Sequence, residues 1–186
     1  MSDVKSQVLT MQKTIARYFS NKNYAVAREC GIPTVKTDPK TGKEYTCFYY
    51  GNRRADVIAI NKKKEVVIVE TKSSKQDFNT DKKWKEYLRC CHKFYFAALT
   101  EEVADHICSK LKEEGMHKQV GLILFLREPK GYWDTGLRFV NGARRRDCDQ
   151  ADEIVMRMVF RLSPFSMGKF VGCCFDGDVE AKCSSD

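Results

Sequence analysis

Arg53-Arg54-Ala55-Asp56-Val57-Ile58-Ala59-Ile60, then lysines at 62–64, then Val66-Val67-Ile68-Val69-Glu70-Thr71-Lys72, read as two adjacent apolar strands joined by a polar turn. The second is Val and Ile on both faces, the composition of a strand covered on both sides by helices, so the fold class it decides is α/β. At the ends of these strands stand two carboxylates and an amine: Asp56, Glu70 and Lys72. An apolar strand carries ionisable groups at its mouth only where they are solvated, paired or bound to a cation, because burying isolated charge is costly.

Side chains alternate along a strand, so Glu70 and Lys72 share one face and Thr71 takes the other, leaving the Thr71 backbone carbonyl available as a ligand. Asp56 joins the Glu70 face only in a register where opposed residue numbers sum to an even value, as 56 with 70 does. A three-residue loop of Lys62-Lys63-Lys64 or a five-residue loop provides that register, and a two- or four-residue loop does not. Two carboxylates brought together this way repel unless a cation lies between them. Ligation by oxygen alone with open positions selects Mg²⁺, with Mn²⁺ as a substitute, over zinc. Such an ion polarises a phosphoryl oxygen and acidifies water, and Lys72 is placed to orient or deprotonate that water or to neutralise charge developing on the phosphate. The last role is favoured, because two nearby carboxylates oppose the lowered pKa a base would need. Glu-x-Lys also occurs at 128–130 and 180–182, but only the copy at 70–72 closes an apolar strand.

With 186 residues, 42% of them hydrophobic and 31% charged, the chain can build one sizeable core, and a single domain is expected over 1–175, followed by a flexible polar tail at 176–186. Lys and Arg number 33 against 25 Asp and Glu, and the resulting net charge of +8 favours polyanionic partners. No apolar run approaches the roughly 18 residues that span a bilayer, and Met1-Ser2-Asp3-Val4-Lys5 lacks the layout of a signal segment. Nine cysteines without a C-x-x-C pair disfavour zinc and disulfide scaffolds and fit reduced thiols, so an intracellular, cytoplasmic protein is expected, without a membrane partner.

Val4, Val8, Met11, Ile15, Tyr18 and Phe19 predict one apolar face of a helix over 4–20, and a strand follows at 24–30. Asp38-Pro39-Lys40-Thr41-Gly42 is turn chemistry within a hairpin insertion at about 32–50. Beyond the two central strands, Asn79 or Thr80 is expected to cap a helix running to about Cys91. A strand at 94–98, a helix from 103 to 114 stopped by Gly115, and a buried strand at 120–126 complete a mixed α/β pattern. From about 127 the chain is variable in character: a loop with a short hairpin, the basic run Arg144-Arg145-Arg146, and a helical periodicity over 150–162.

Glu29, Gly51-Asn52-Arg53-Arg54-Ala55-Asp56, Val69-Glu70-Thr71-Lys72-Ser73-Ser74, Asp77-Phe78, Asp81-Lys82-Lys83-Trp84, Tyr87, Cys91, Phe94-Tyr95-Phe96-Ala97 and Gly121-Leu122-Ile123 together resemble the PD-(D/E)XK nuclease superfamily, and within it the MmcB-like DNA-repair proteins. The resemblance covers roughly residues 1–126. It implies a restriction-endonuclease-like core of αβββαβ type, Mg²⁺-dependent cleavage of DNA phosphodiesters in repair, recombination or DNA processing, and Asp56, Glu70 and Lys72 as the catalytic triad. Asp56, Glu70 and the Thr71 carbonyl would hold the metal, with Glu29 at the position of the family's additional acid. The insertion at 32–50 and everything beyond about 127 fall outside the match.

DNA-backbone contacts are expected from Arg53 and Arg54 beside the acid, from Lys82 and Lys83, and from Arg144, Arg145 and Arg146 acting as a flexible electrostatic arm. Ser73 and Ser74 either contact phosphate or cap the turn after the strand. A surface ion pair at a hairpin end, worth about 0–1 kcal/mol, is the plain alternative for the triad. Two further classes compete with a nuclease: a non-catalytic nucleic-acid-binding or adaptor protein that retains the nuclease fold, and an inhibitor built on the same scaffold. A homodimer or a protein partner is compatible with each.

Overall fold

The computed structural model describes residues 3–47, 54–131 and 134–162, so Arg53, the end of the hairpin insertion and the expected tail at 176–186 lie outside the described residues. The elements follow as α1 (Val4–Asn21), β1 (Tyr24–Gly31), β2 (Thr34–Thr37), β3 (Glu44–Cys47), β4 (Arg54–Asn61), β5 (Val66–Lys72), α2 (Lys75–Thr80), α3 (Trp84–Tyr87), β6 (Lys93–Ala98), α4 (Glu101–Glu113), β7 (Val120–Phe125), β8 (Leu137–Asn141) and α5 (Ala151–Leu162). Six strands form one sheet in the order β1-β4-β5-β6-β7-β8, and β2 with β3 forms the separate hairpin expected of the insertion. The pairs β5–β6 and β6–β7 are parallel, while β1–β4, β4–β5 and β7–β8 are antiparallel. This mixed sheet covered by helices is the expected α/β class and is consistent with a restriction-endonuclease-like core.

Two clusters flank the sheet. On one side Met11, Ile15 and Phe19 of α1 pack on Val57, Ala59, Val67 and Val69. On the other, Phe78, Trp84, Tyr87, Ile107, Ile154 and Met158 from the remaining helices pack on Ile58, Ile60, Val66, Ile68, Phe94 and Phe96. Every residue of β5 is buried, which is why its sequence is apolar on both faces. Fully burying each such side chain contributes about 1.5–3 kcal/mol.

The turn between β4 and β5 fixes the register. The Asn61 N–H donates to the Glu65 carbonyl (3.3 Å) and the Lys64 N–H to the Asn61 carbonyl (2.9 Å), so the loop is Lys62-Lys63-Lys64 with Lys64 left-handed at φ 59°. The Asn61 side chain accepts from the N–H groups of Lys63 and Glu65. Val57 then opposes Val69 and Ile58 opposes Ile68, the even-sum register.

Two expectations change. The helix expected from Asn79 or Thr80 to Cys91 begins earlier and is broken: Ser74 caps α2 by accepting from the Asp77 N–H (3.1 Å), and Asp81 interrupts the helix in an extended conformation before the single turn of α3. Trp84, Tyr87 and Cys91 are nevertheless buried together, as one helix face would have placed them. The basic run is also not a free arm. The Arg146 N–H donates to the His92 carbonyl (2.9 Å) and its guanidinium to the Gln119 carbonyl (2.6 Å), while Arg145 pairs with Glu65 at 3.8 Å.

Candidate active site

Strand β5 delivers Glu70, Thr71 and Lys72 to one end of the sheet, where its pairing with β4 stops at Val57 and Val69. Beyond that point side chains replace the ladder. The Asp56 carboxylate accepts from the Thr71 N–H (2.7 Å) and from the Thr71 hydroxyl, and the Glu70 carboxylate accepts from the Asp56 N–H (3.3 Å). These reciprocal bonds occupy the gap between the two strands.

Asp56 does not reach this gap by simple alternation, as its sequence position leads one to expect. Ala55 packs in the same cluster as Ile58 and Ile60, so the period of two is broken across Asp56. On β1, Ala27 and Cys30 likewise share that cluster, and between them Glu29 sits at φ 52°, a left-handed conformation that costs a residue with a side chain about 1–2 kcal/mol. The β1–β4 ladder skips the pair Glu29 and Asp56. The kink turns Asp56 toward Thr71, on the α1 side of the sheet, whereas Glu70 and Lys72 face α2. The acids therefore meet across the end of the sheet rather than on one face. Strain of this kind concentrates at functional sites.

Glu70 is 6% exposed and Lys72 is 4% exposed. Burial pushes the Glu70 carboxyl well above its ordinary value and the nearby Asp56 charge adds to this, against the opposing pull of Lys72 and the Asp56 N–H. Burial also raises Asp56, opposed by the Thr71 hydroxyl and amide and reinforced by Glu29. Two neighbouring acids that both resist ionisation are a site in want of positive charge.

Lys72 pairs at 2.7 Å with Asp81, lies 3.8 Å from Asp77, and its ammonium stands 5.9 Å from the centre of the Phe96 ring. Asp81, the residue that breaks the helix, thus positions the lysine. Asp77 reaches back to the Ser73 N–H (2.9 Å) and hydroxyl (3.2 Å). Ser73 and Ser74 are occupied in capping, the second of the two roles open to them. Lys82 and Lys83 are exposed beside Asp81, and the Lys83 N–H donates to it (2.9 Å).

Glu29 accepts from Gln12 (3.2 Å) on one oxygen and pairs with Arg54 at 2.7 Å through the other. Gln12 also lies 3.5 Å from the Thr71 hydroxyl, which ties α1 to the site. This residue escapes motif reading, yet its signal is present: a glutamine between Val8, Met11 and Ile15 on the apolar face of a helix. Arg144, Arg145 and Arg146 stand at the opposite end of β5, by Glu65 and Gln119. Cys90 and Cys91 are packed in the core, where burial pushes the Cys90 thiol up to about 12.

Among the described residues no three His, Cys, Asp or Glu side chains close into a preformed cation cage. The donor set nevertheless suits a hard cation that keeps waters and shares phosphate oxygens. Asp56 uses one oxygen and Glu70 one oxygen in the bonds above, leaving the second of each free of protein donors among the described residues. A strand residue directs its N–H and C=O to the same edge, so the Thr71 carbonyl faces the gap into which its N–H points.

The chain shares its fold with the SPO1766 protein of unknown function from Silicibacter pomeroyi, with a TM-score of 0.50 and 19% identity over 79% of this chain and 80% of that one. None of the curated proteins matches it. No helix of the described residues is long and apolar enough to cross a membrane. The family model described as DNA repair protein MmcB-like matches residues 5–124, more than half of the chain and the whole span that carries Gln12, Glu29, Asp56, Glu70, Lys72 and Asp81, and the chain belongs to that MmcB-like DNA repair family.

Proposed function

We propose that this chain is a Mg²⁺-dependent nuclease, with Mn²⁺ able to substitute, that hydrolyses DNA phosphodiesters as an endonuclease in repair. The observation that carries the reading is the pair of reluctant acids, Asp56 and Glu70, bonded across the strand gap beside a buried ammonium. The free oxygens of Asp56 and Glu70 and the Thr71 carbonyl would hold the cation, with Glu29 supporting from β1 once Arg54 moves to a phosphate. The bound ion would supply Lewis acidity at the scissile phosphate and lower the pKa of a water. Lys72, held by Asp81, would face the phosphate and offset its developing charge. Lys82 and Lys83 would bind flanking phosphates.

Purified protein incubated with supercoiled plasmid, single-stranded and branched DNA, with Mg²⁺, Mn²⁺ or EDTA, tests this. Product is expected with either metal and none with EDTA. Glu70→Gln and Lys72→Ala are each expected to reduce the rate at least 100-fold. Cleavage that survives both substitutions rejects the triad. Salt-dependent, metal-independent DNA binding without product on any substrate identifies an adaptor instead.

A further inference from the structure

At the other end of β5, on the α1 side of the sheet, lies a cavity of about 340 Å³ whose walls include Tyr18, Tyr24, Tyr95 and Phe139, with Lys22 and Lys93 beside them. We propose that this aromatic cleft binds an unpaired nucleotide of single-stranded DNA, the base stacking on the rings and its phosphate meeting the lysines. The assignment goes beyond cleavage, since it needs neither a metal nor turnover.

The cleft is built rather than incidental. Phe139 stands 38% exposed on the edge strand β8, with its ring centre 4.9 Å from that of Tyr18 at a 44° tilt and 5.9 Å from that of Tyr95, edge to face. Tyr95 can lie there because its neighbour across the β6–β7 ladder is Gly121, where any side chain would collide with the ring. Glu65 accepts from the Tyr24 hydroxyl (2.8 Å) and from Lys93 (3.2 Å), fixing both at one side of the cleft. Lys22 is exposed at the C-cap of α1.

Ring faces interleaved with ammonium groups are the chemistry that holds a single strand without reading its sequence, because every base has a π face and every link a phosphate. A cavity of this size lies within the range that encloses small ligands. The exposed surroundings are mainly basic: Lys62, Lys63 and Arg144 are exposed at this end of the sheet on a chain of net charge +8, while Lys64 is paired with Asp152 and Lys93 with Glu65. A paired base cannot offer its face to such a cleft. A free mononucleotide carries the same base and phosphate chemistry, but the basic surface extends past the cavity as a polyanion would require. Along β5 the cleft is about 13 Å from Thr71, four residues at about 3.3 Å each. Substitutions in the cleft therefore leave Asp56, Glu70 and Lys72 in place.

Fluorescence anisotropy in EDTA tests the proposal, using a labelled oligothymidine, the same length of duplex, and dTMP as competitor. Wild type is expected to bind the single strand more tightly than the duplex. Phe139→Leu, which keeps apolar bulk and loses the ring, is expected to weaken single-strand binding about tenfold. Lys22→Ala is expected to weaken it about threefold, and both proteins should melt within a few degrees of wild type. Glu70→Gln is expected to retain full single-strand affinity, so loss of the cleavage reading and loss of the cleft are separate outcomes. Equal or tighter duplex binding, unchanged affinity in Phe139→Leu, or dTMP competing as well as the oligonucleotide per mole overturns the assignment.

Discussion

Glu70 is where the cost of the site can be measured. Its carboxyl is raised well above the ordinary value chiefly by burial, with Asp56 adding to the shift, and Asp56 is itself raised. A folded protein whose acids hold protons more tightly than the unfolded chain is stabilised by them at low pH, and this contribution disappears as pH rises through the raised values. Glu70→Gln is expected to melt higher than wild type at pH 8 in EDTA, by several degrees, with the difference shrinking toward pH 4. Because the acids elsewhere are common to both proteins, the difference between the two melting curves isolates Glu70. A Glu70→Gln protein less stable than wild type at pH 8 contradicts the electrostatic account. Lys72 is the converse case, a cation whose removal strands Asp81, itself largely buried. Lys72→Ala is expected to cost about 2–4 kcal/mol in urea unfolding. Adding Asp81→Asn should recover part of the stability and none of the cleavage, which separates the lysine's structural pairing from its proposed role at the phosphate. The convergence of Asp56, Glu70 and Lys72 at one end of the sheet was legible because charge at the mouth of an apolar strand demands a reason. Asp81 and Gln12 were not, since each serves through a contact with another element that spacing along the chain does not encode.

The central strands were legible as elements because β5 is buried on both faces, so its composition and its place in the sheet are one fact. Register was legible only as a condition on loop length, three or five residues, and the structure takes the three-lysine turn. The departure of Asp56 from alternation was not, because it arises from the left-handed Glu29 on a neighbouring strand. The start of α2 shows a different failure. Ser74-x-x-Asp77 is itself a helix-start pattern, but Asn79 and Thr80 offer equally good caps further on, and the helix ends at Asp81, which is extended and pairs with Lys72, a contact that spacing along the chain does not encode. Since Ser74 caps α2, Ser74→Ala is expected to lower stability by about 1 kcal/mol and Ser74→Thr to restore it. Neither should change the salt dependence of DNA binding. A shallower salt slope in Ser74→Ala, at unchanged melting temperature, would instead make this serine a phosphate contact.

Across the whole molecule, positive charge gathers at both ends of β5. Lys82 and Lys83 are exposed next to Asp81 at the Lys72 end, and Arg145 pairs with Glu65 at the other, with Arg144 exposed beside it in sequence. Seven residue steps of strand separate Glu65 from Lys72, about 23 Å at about 3.3 Å each. A duplex whose scissile phosphate sits at Glu70 and Lys72 is within reach of the first pair and remote from the second. Each lysine that neutralises a phosphate adds about 0.9 to the slope of log affinity against log salt for duplex DNA. Lys82→Ala with Lys83→Ala is therefore expected to make the duplex slope shallower by between about 1 and 2. It should weaken binding alike for unrelated sequences, because phosphate contacts carry no base information. Arg144→Ala with Arg145→Ala removes the same formal charge but should leave the duplex slope nearly unchanged; Arg146 is kept because its two backbone-carbonyl bonds hold the segment in place. Equal shifts in the two double variants would mean that duplex DNA runs the full length of β5, past both ends of the sheet.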